Sequence, residues 1–327
     1  MSFNDNVQLD PGRARDSRGR SGGRGAVLGG GRVGGRGIAL GGGAGLLAVL
    51  IYFIAPGFAE QVGINPDGTI GGGSSQQREI GESQNSGPGE QIDSCRTGAD
   101  ANERSDCRVL ATTIAADTFW EEHLSQYRDV SFREPGVELF SGGVNTACGS
   151  ASSAMGPFYC PGDESMYFDT DFFSTLQTDF GAEGGPLAEQ YIVAHEYAHH
   201  IQQVIGWLRY SQDGRTGPDS GIVRVELQAD CMAGMWAGSA AHTVDPESGE
   251  TFLKPISDEQ LRQALDAAAS VGDDRIQQAS TGQVRPEAFT HGTSEQRQRW
   301  FMRGYESGRS NPDINQCDTL SIPADQL

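Results

Sequence analysis

The sequence is short of positive charge: 24 Lys+Arg stand against 44 Asp+Glu, a formal net charge of -20 over 327 residues. Affinity for nucleic acid is dominated by Lys and Arg neutralising phosphates, so this deficit excludes a nucleic acid as the partner of the main body. Such a surplus of acid suits a soluble body that resists self-association. None of the six cysteines forms a CxxC pair, which argues against a zinc ribbon. The four tryptophans are scattered without period and no internal repeat occurs, so nothing supports a repeat-built cell-wall binding module.

What is there divides by charge. Arg13, Arg15, Arg18, Arg20, Arg24, Arg32 and Arg36 face only Asp5, Asp10 and Asp16 in the first 36 residues, a net +4 that leaves -24 for the rest. From Gly37 to Ala59 no residue is charged, and Leu46 to Ala55 is solidly apolar. That length suffices for one bilayer crossing, for which about 20 residues are needed. With the arginines on its N-terminal side, the positive-inside rule predicts a single-pass signal-anchor, the N-terminus cytoplasmic and the remainder extracytoplasmic. Cleavage near Gly57-Phe58-Ala59 is the alternative, but the basic lead is long for a signal peptide. All six cysteines (Cys95, Cys107, Cys148, Cys160, Cys231, Cys317) follow this run, and an even number in an exported domain reads as disulfides. Proximity favours Cys95 with Cys107 and Cys148 with Cys160, leaving Cys231 with Cys317; the short loops would contribute about 3 kcal/mol each.

The predicted organisation is therefore a disordered basic tail over 1–36, a transmembrane anchor over 37–59, a Gly/Ser/Gln-rich linker over 60–93 and one folded domain over 94–322. Helical spacing begins near Cys107 and runs to about His123. Short aromatic and β-branched runs between Val130 and Phe173, among them VELFSG and SMYFDTDFF, predict a small sheet. Helices follow from Pro186 to about Leu208, from Ile222 to Ala241, from Ser257 to Ala269 behind a Ser257/Gln260 capping box, and from Thr293 to about Tyr305. The pattern is that of an α+β, mostly helical domain with a small β-sheet.

The helix opened by Pro186 carries YIVAHEYAHHIQQ. His195 and His199, four apart, project from one face and can bind one Zn²⁺, with Glu196 beside them as general base. His200 lies about 100° around the helix from His199 and points elsewhere, which favours a structural or solvent-facing role. A third ligand must come from another segment. VELQADCMAG places Glu226 and Asp230 on one face of the next helix: Glu226 as ligand, with Asp230 accepting an imidazole N–H, fixes a ring tautomer, and Asp230 is the alternative ligand.

HEYAHHIQ followed by ELQADCMAG, with ACGSASSAMGPFYCPGDESMYFD upstream and THGTSEQRQRWF downstream, resembles a bacterial family of neutral zinc metallopeptidases anchored in the membrane at the N-terminus. The match covers roughly residues 95 to 320 and is in turn similar to thermolysin-like zincins. It implies a zincin-like fold, a peptide or protein substrate, Glu226 as third ligand and Asp230 behind it. Glu196 would then deprotonate a zinc-activated water and return the proton to the leaving amine. His291 is the candidate for stabilising the oxyanion, with Tyr191 and Tyr197 better read as packed residues. By analogy with zincins, SMYFDTDFF could receive the substrate backbone at a sheet edge. The rival function is a catalytically inactive, envelope-localised zinc protein, against which Glu196 argues, since a structural site needs no general base.

Overall fold

The computed structural model of the protein describes residues 3–19 and 90–327. The apolar run 37–59 and most of the 60–93 linker lie outside them. Among the described residues no helix is long and apolar enough to cross a membrane. In chain order the main elements are β1 (Arg15–Asp16), β2 (Glu90–Gln91), α1 (Gly98–Glu103), α2 (Ser105–Leu124), β3 (Gly136–Leu139), β4 (Gly143–Thr146), β5 (Gly149–Ser152), β6 (Phe158–Cys160) and β7 (Ser165–Phe168). Then come α3 (Phe172–Thr178), α4 (Pro186–Ile205), α5 (Gly221–Ala240), α6 (Asp258–Ser270), α7 (Asp273–Thr281) and α8 (Ser294–Ser310). The fold is α+β.

Local chemistry sets the helix ends. Pro186 occupies the first turn of α4, and Gly206 ends it in the left-handed region at φ 79°, with the Trp207 N–H reaching back 2.7 Å to the Gln202 carbonyl. Ser257 and Gln260 close the expected capping box before α6, and Thr293 with Gln296 builds a second one before α8. Helix α3 starts inside SMYFDTDFF, so only Ser165–Phe168 is strand.

The main sheet runs β2-β1-β3-β7-β6, with β3 parallel to β7 and β6 antiparallel to it. This corrects the expectation of a substrate-binding edge in SMYFDTDFF. Tyr167 of β7 is paired with Glu138 on one side and Phe158 on the other, so β7 is internal and β6 is the outer strand. A separate β4–β5 hairpin is tied to β6 by the Cys148–Cys160 disulfide. Cys95–Cys107 and Cys231–Cys317 complete the expected pairing, the last joining α5 to the segment after α8.

The N-terminal residues depart from the sequence reading. Residues 3–19, expected in a disordered tail, fold against the domain: Phe3, Val7, Leu9 and Ala14 are buried and β1 pairs between β2 and β3. Arg13 donates two hydrogen bonds to Asp117, 2.6 and 2.9 Å. Arg18 bonds Asp16 and Asp106. Arginines counted as free orienting charge thus serve as partners for buried or half-buried carboxylates. The linker expectation also ends early, because β2 begins at Glu90 and Ile92 is buried.

Helices α5 and α8 meet backbone to backbone. A Cβ at Gly304 would run into the Cys231 carbonyl oxygen and one at Gly308 into that of Met235. On the facing helix, Gly234 and Gly238 lie equally close to the carbonyls of Phe301 and Tyr305. Two pairs of glycines four apart therefore interlock, each pair on one face of its helix.

Gly304→Ala is expected to force the helices apart and cost roughly 1–3 kcal/mol, read as a lower thermal midpoint. The Asp16–Arg18–Asp106 cluster predicts a pH dependence. Burial raises both carboxyl pKa values, but hydrogen bonds outweigh it, chiefly from Arg18 to Asp16 and from Arg104 and Arg18 to Asp106, leaving both below the ordinary value. Their stabilisation is complete above about pH 4 and lost as pH falls through the lower folded values. Arg18→Gln should lower the thermal midpoint at pH 7, and the gap to the unaltered protein should close on acidification.

Candidate metal centre

Helix α4 presents His195 and His199 on the face turned to α5, whose Glu226 stands opposite. Glu226 Oε2 lies 3.2 Å from His195 Nε2, and Glu226 Oε1 lies 3.5 Å from His199 Nε2. One donor atom from each residue falls within 4.8 Å of the others, and all three side chains are buried. His199 Nε2 and Glu226 Oε1 have no hydrogen-bond partner. A buried carboxylate oxygen facing buried ring nitrogens is costly unless a proton or a cation lies between them. Two imidazoles and a carboxylate are the donor set of a catalytic zinc site, so the residues present fit Zn²⁺.

The surroundings fix the orientation of each ligand. His195 Nδ1 is 3.0 Å from Asp230 Oδ1, so Asp230 meets the ring nitrogen opposite the one that faces Glu226. Asp230 also accepts from Tyr191 Oη at 2.6 Å and from Arg297 Nε and Nη2 at 2.8 and 2.9 Å. His199 Nδ1 is 2.8 Å from Gln202 Oε1, and the Gln202 amide donates to the Val225 carbonyl and to Gln228. Arg297 and Gln202 escaped the sequence reading. Gln202 stands three residues after His199, a readable helical spacing, whereas Arg297 reaches Asp230 only because α8 closes on α5.

The other candidates separate cleanly. Glu196 is buried beside the ligands and its Oε2 has no partner. His291 is buried, with Nε2 unpartnered 3.9 Å from Glu226 Oε2 and Nδ1 2.9 Å from Thr290 Oγ1. Asp273, at the start of α7, holds its loop by accepting the backbone N–H groups of Thr290, His291 and Gly292. Tyr197 turns away and donates to Asp117, and the Tyr191 hydroxyl is engaged by Asp230 and Arg297. Both tyrosines are packed residues. His200 is structural too: its ring nitrogens meet Tyr159 Oη and the Arg133 carbonyl.

Electrostatics follow from this crowding. Burial pushes the Glu196 carboxyl up to about 7 and His199 down to about 4, leaving His199 in the neutral form a metal requires. For His195 burial pulls the same way, yet Asp230 and Glu226 outweigh it and lift the ring to about 9. A proton on His195 thus takes the place of a cation between two carboxylates. Burial would raise Glu226, but His291, His199 and His195 hold it far below the carboxylate range. A cavity of about 70 Å³ opens onto Glu196, Glu226 and His291 between apolar walls that include Met155, Phe172, Phe180, Ile192 and Ile276.

A buried His–Glu–His set on two helices, with a carboxylate in the adjoining cavity, is the arrangement of a zinc-peptidase site. The chain belongs to the family described as putative neutral zinc metallopeptidase, which it matches over residues 7–320. Rv2575 of Mycobacterium tuberculosis, named an uncharacterized protein, is 48% identical over 260 residues, covering 80% of this chain and 84% of its own. YpfJ of Escherichia coli K12, also named uncharacterized, is 39% identical over 217 residues, 65% of this chain and 69% of its own. No solved structure matches the chain.

Arg297→Leu would leave Asp230 charged and buried without its guanidinium. A loss of about 3–5 kcal/mol is expected, measured by thermal or denaturant unfolding.

Proposed function

We propose that the protein is a zinc-dependent endopeptidase that works outside the cytoplasm on peptide or protein substrates. The observation that carries the reading is the convergence of unpartnered buried atoms: Glu226 Oε1, Glu196 Oε2 and His291 Nε2 belong to residues lining one apolar cavity, and the unpartnered His199 Nε2 lies 3.5 Å from Glu226 Oε1. His195, His199 and Glu226 would hold the ion. Zn²⁺ there would supply a Lewis acid for the scissile carbonyl and acidify a water.

The remaining steps belong to the chain's own groups. Glu196 takes a proton from the attacking water and delivers it to the leaving amine. Asp230 accepts the His195 Nδ1–H and keeps Nε2 turned to Glu226. When Thr290 donates to His291 Nδ1, the ring proton sits on Nε2, where it can stabilise negative charge developing on the substrate oxygen. The apolar cavity walls suit a large apolar side chain next to the scissile bond. A non-catalytic zinc protein would have no use for a carboxylate buried with a free oxygen in that cavity. Three disulfides support an oxidising compartment, and the charge-free run 37–59 supports membrane attachment.

Glu196→Gln should retain zinc, measured by metal analysis, and lose at least about 100-fold in hydrolysis of casein. Undiminished activity in that variant would remove Glu196 as the base. Glu226→Ala should weaken zinc binding by more than about 10-fold in a chelator competition, and unchanged affinity would reject it as a ligand.

A further inference from the structure

The folded N-terminal segment constrains how this chain meets a membrane. Residues 3–19 are built into the body at several independent points. The Asn4 N–H bonds the Phe252 carbonyl at 3.0 Å and its side-chain amide bonds the Thr251 carbonyl. The Leu9 N–H bonds the Arg96 carbonyl at 2.9 Å. A Cβ at Gly98 would collide with the Asn4 carbonyl oxygen, so the segment lies directly against the first turn of α1. Arg13 provides the cation for Asp117, whose other hydrogen bond comes from Tyr197 of the catalytic helix. Withdrawing the segment would strip β1 from between β2 and β3 and leave Asp117 buried without a counterion.

The two ends of the intervening chain are neighbours. Asp16 pairs with Glu90 and Arg15 with Gln91 in antiparallel register, so the chain that departs after residue 19 rejoins the same sheet at residue 90. We propose that residues 3–19 lie on the same side of the membrane as the body that carries the candidate metal centre. This departs from the topology expected of a signal-anchor, in which the basic N-terminus stays in the cytoplasm while the body is exported. The positive-inside argument also weakens, because Arg13 and Arg18 are bound to Asp117 and Asp106 within the fold.

Site-specific labelling of the full chain in a bacterial host tests this. Asn6→Cys and Gln8→Cys place reporters on exposed positions of the N-terminal segment, and Ser310→Cys places one on the body. Each variant is treated with a membrane-impermeant maleimide in intact spheroplasts and again after detergent lysis. The expected result is the same intact-to-lysed labelling fraction at residues 6, 8 and 310, whichever compartment that fraction indicates. Labelling of residue 310 in intact spheroplasts, with residues 6 and 8 reactive only after lysis, would overturn the proposal, as would the reverse.

Discussion

The interlocked glycines of α5 and α8 are the constraint on which the candidate metal centre rests. Without side chains between the two backbones, α8 comes close enough for Arg297 to place two N–H groups on Asp230. Asp230 in turn holds the ring of His195, and His195 faces Glu226, one turn before Asp230 on the same α5 face. Each contact presupposes the one before. A buried Asp alone would be a heavy penalty, but Asp230 is fully satisfied by Arg297, Tyr191 and His195, the condition under which a buried charged network rigidifies rather than destabilises.

That network also defines what the site wants. Glu196, Glu226 and Asp230 are all buried, and Arg297 is the guanidinium that acts on each of them. The imidazoles make up part of the difference only by taking protons, which is why His195 is driven up to about 9 while His199, with no carboxylate held as close, is driven down to about 4. A divalent cation held there would stand in for the His195 proton.

Much of this was legible in the sequence, and the boundary has a physical origin. The HEYAH pair and the Glu226/Asp230 pair were readable because four residues is one helical turn, so spacing alone places both on a face. The disulfides followed from chain proximity. Arg297 was not readable, because its role depends on a long-range helix contact made by four glycines rather than on any local period. Helix α7 was missed in a polar stretch where Ile276 is the one large apolar residue. Residues 3–19 were misread because they adjoin an Arg/Gly-rich run, and a two-residue strand has no period to betray it.

The N-terminal segment and the candidate metal ligands act on opposite sides of one helix. His195 and Glu196 face α5 and the cavity, whereas Tyr197 lies roughly 200° around from His195 and donates to Asp117 on α2. Burial pushes the Asp117 carboxyl up, and the hydrogen bonds from Arg13 and Tyr197 offset that only in part, so Arg13 is the cation on which its charge depends. The helix that carries both histidines is thus held in rotation by Asp230 on one side and by Asp117 on the other. Turning α4 to improve one contact would break the other, so the first residues of the chain help fix the register in which the ligands meet Glu226.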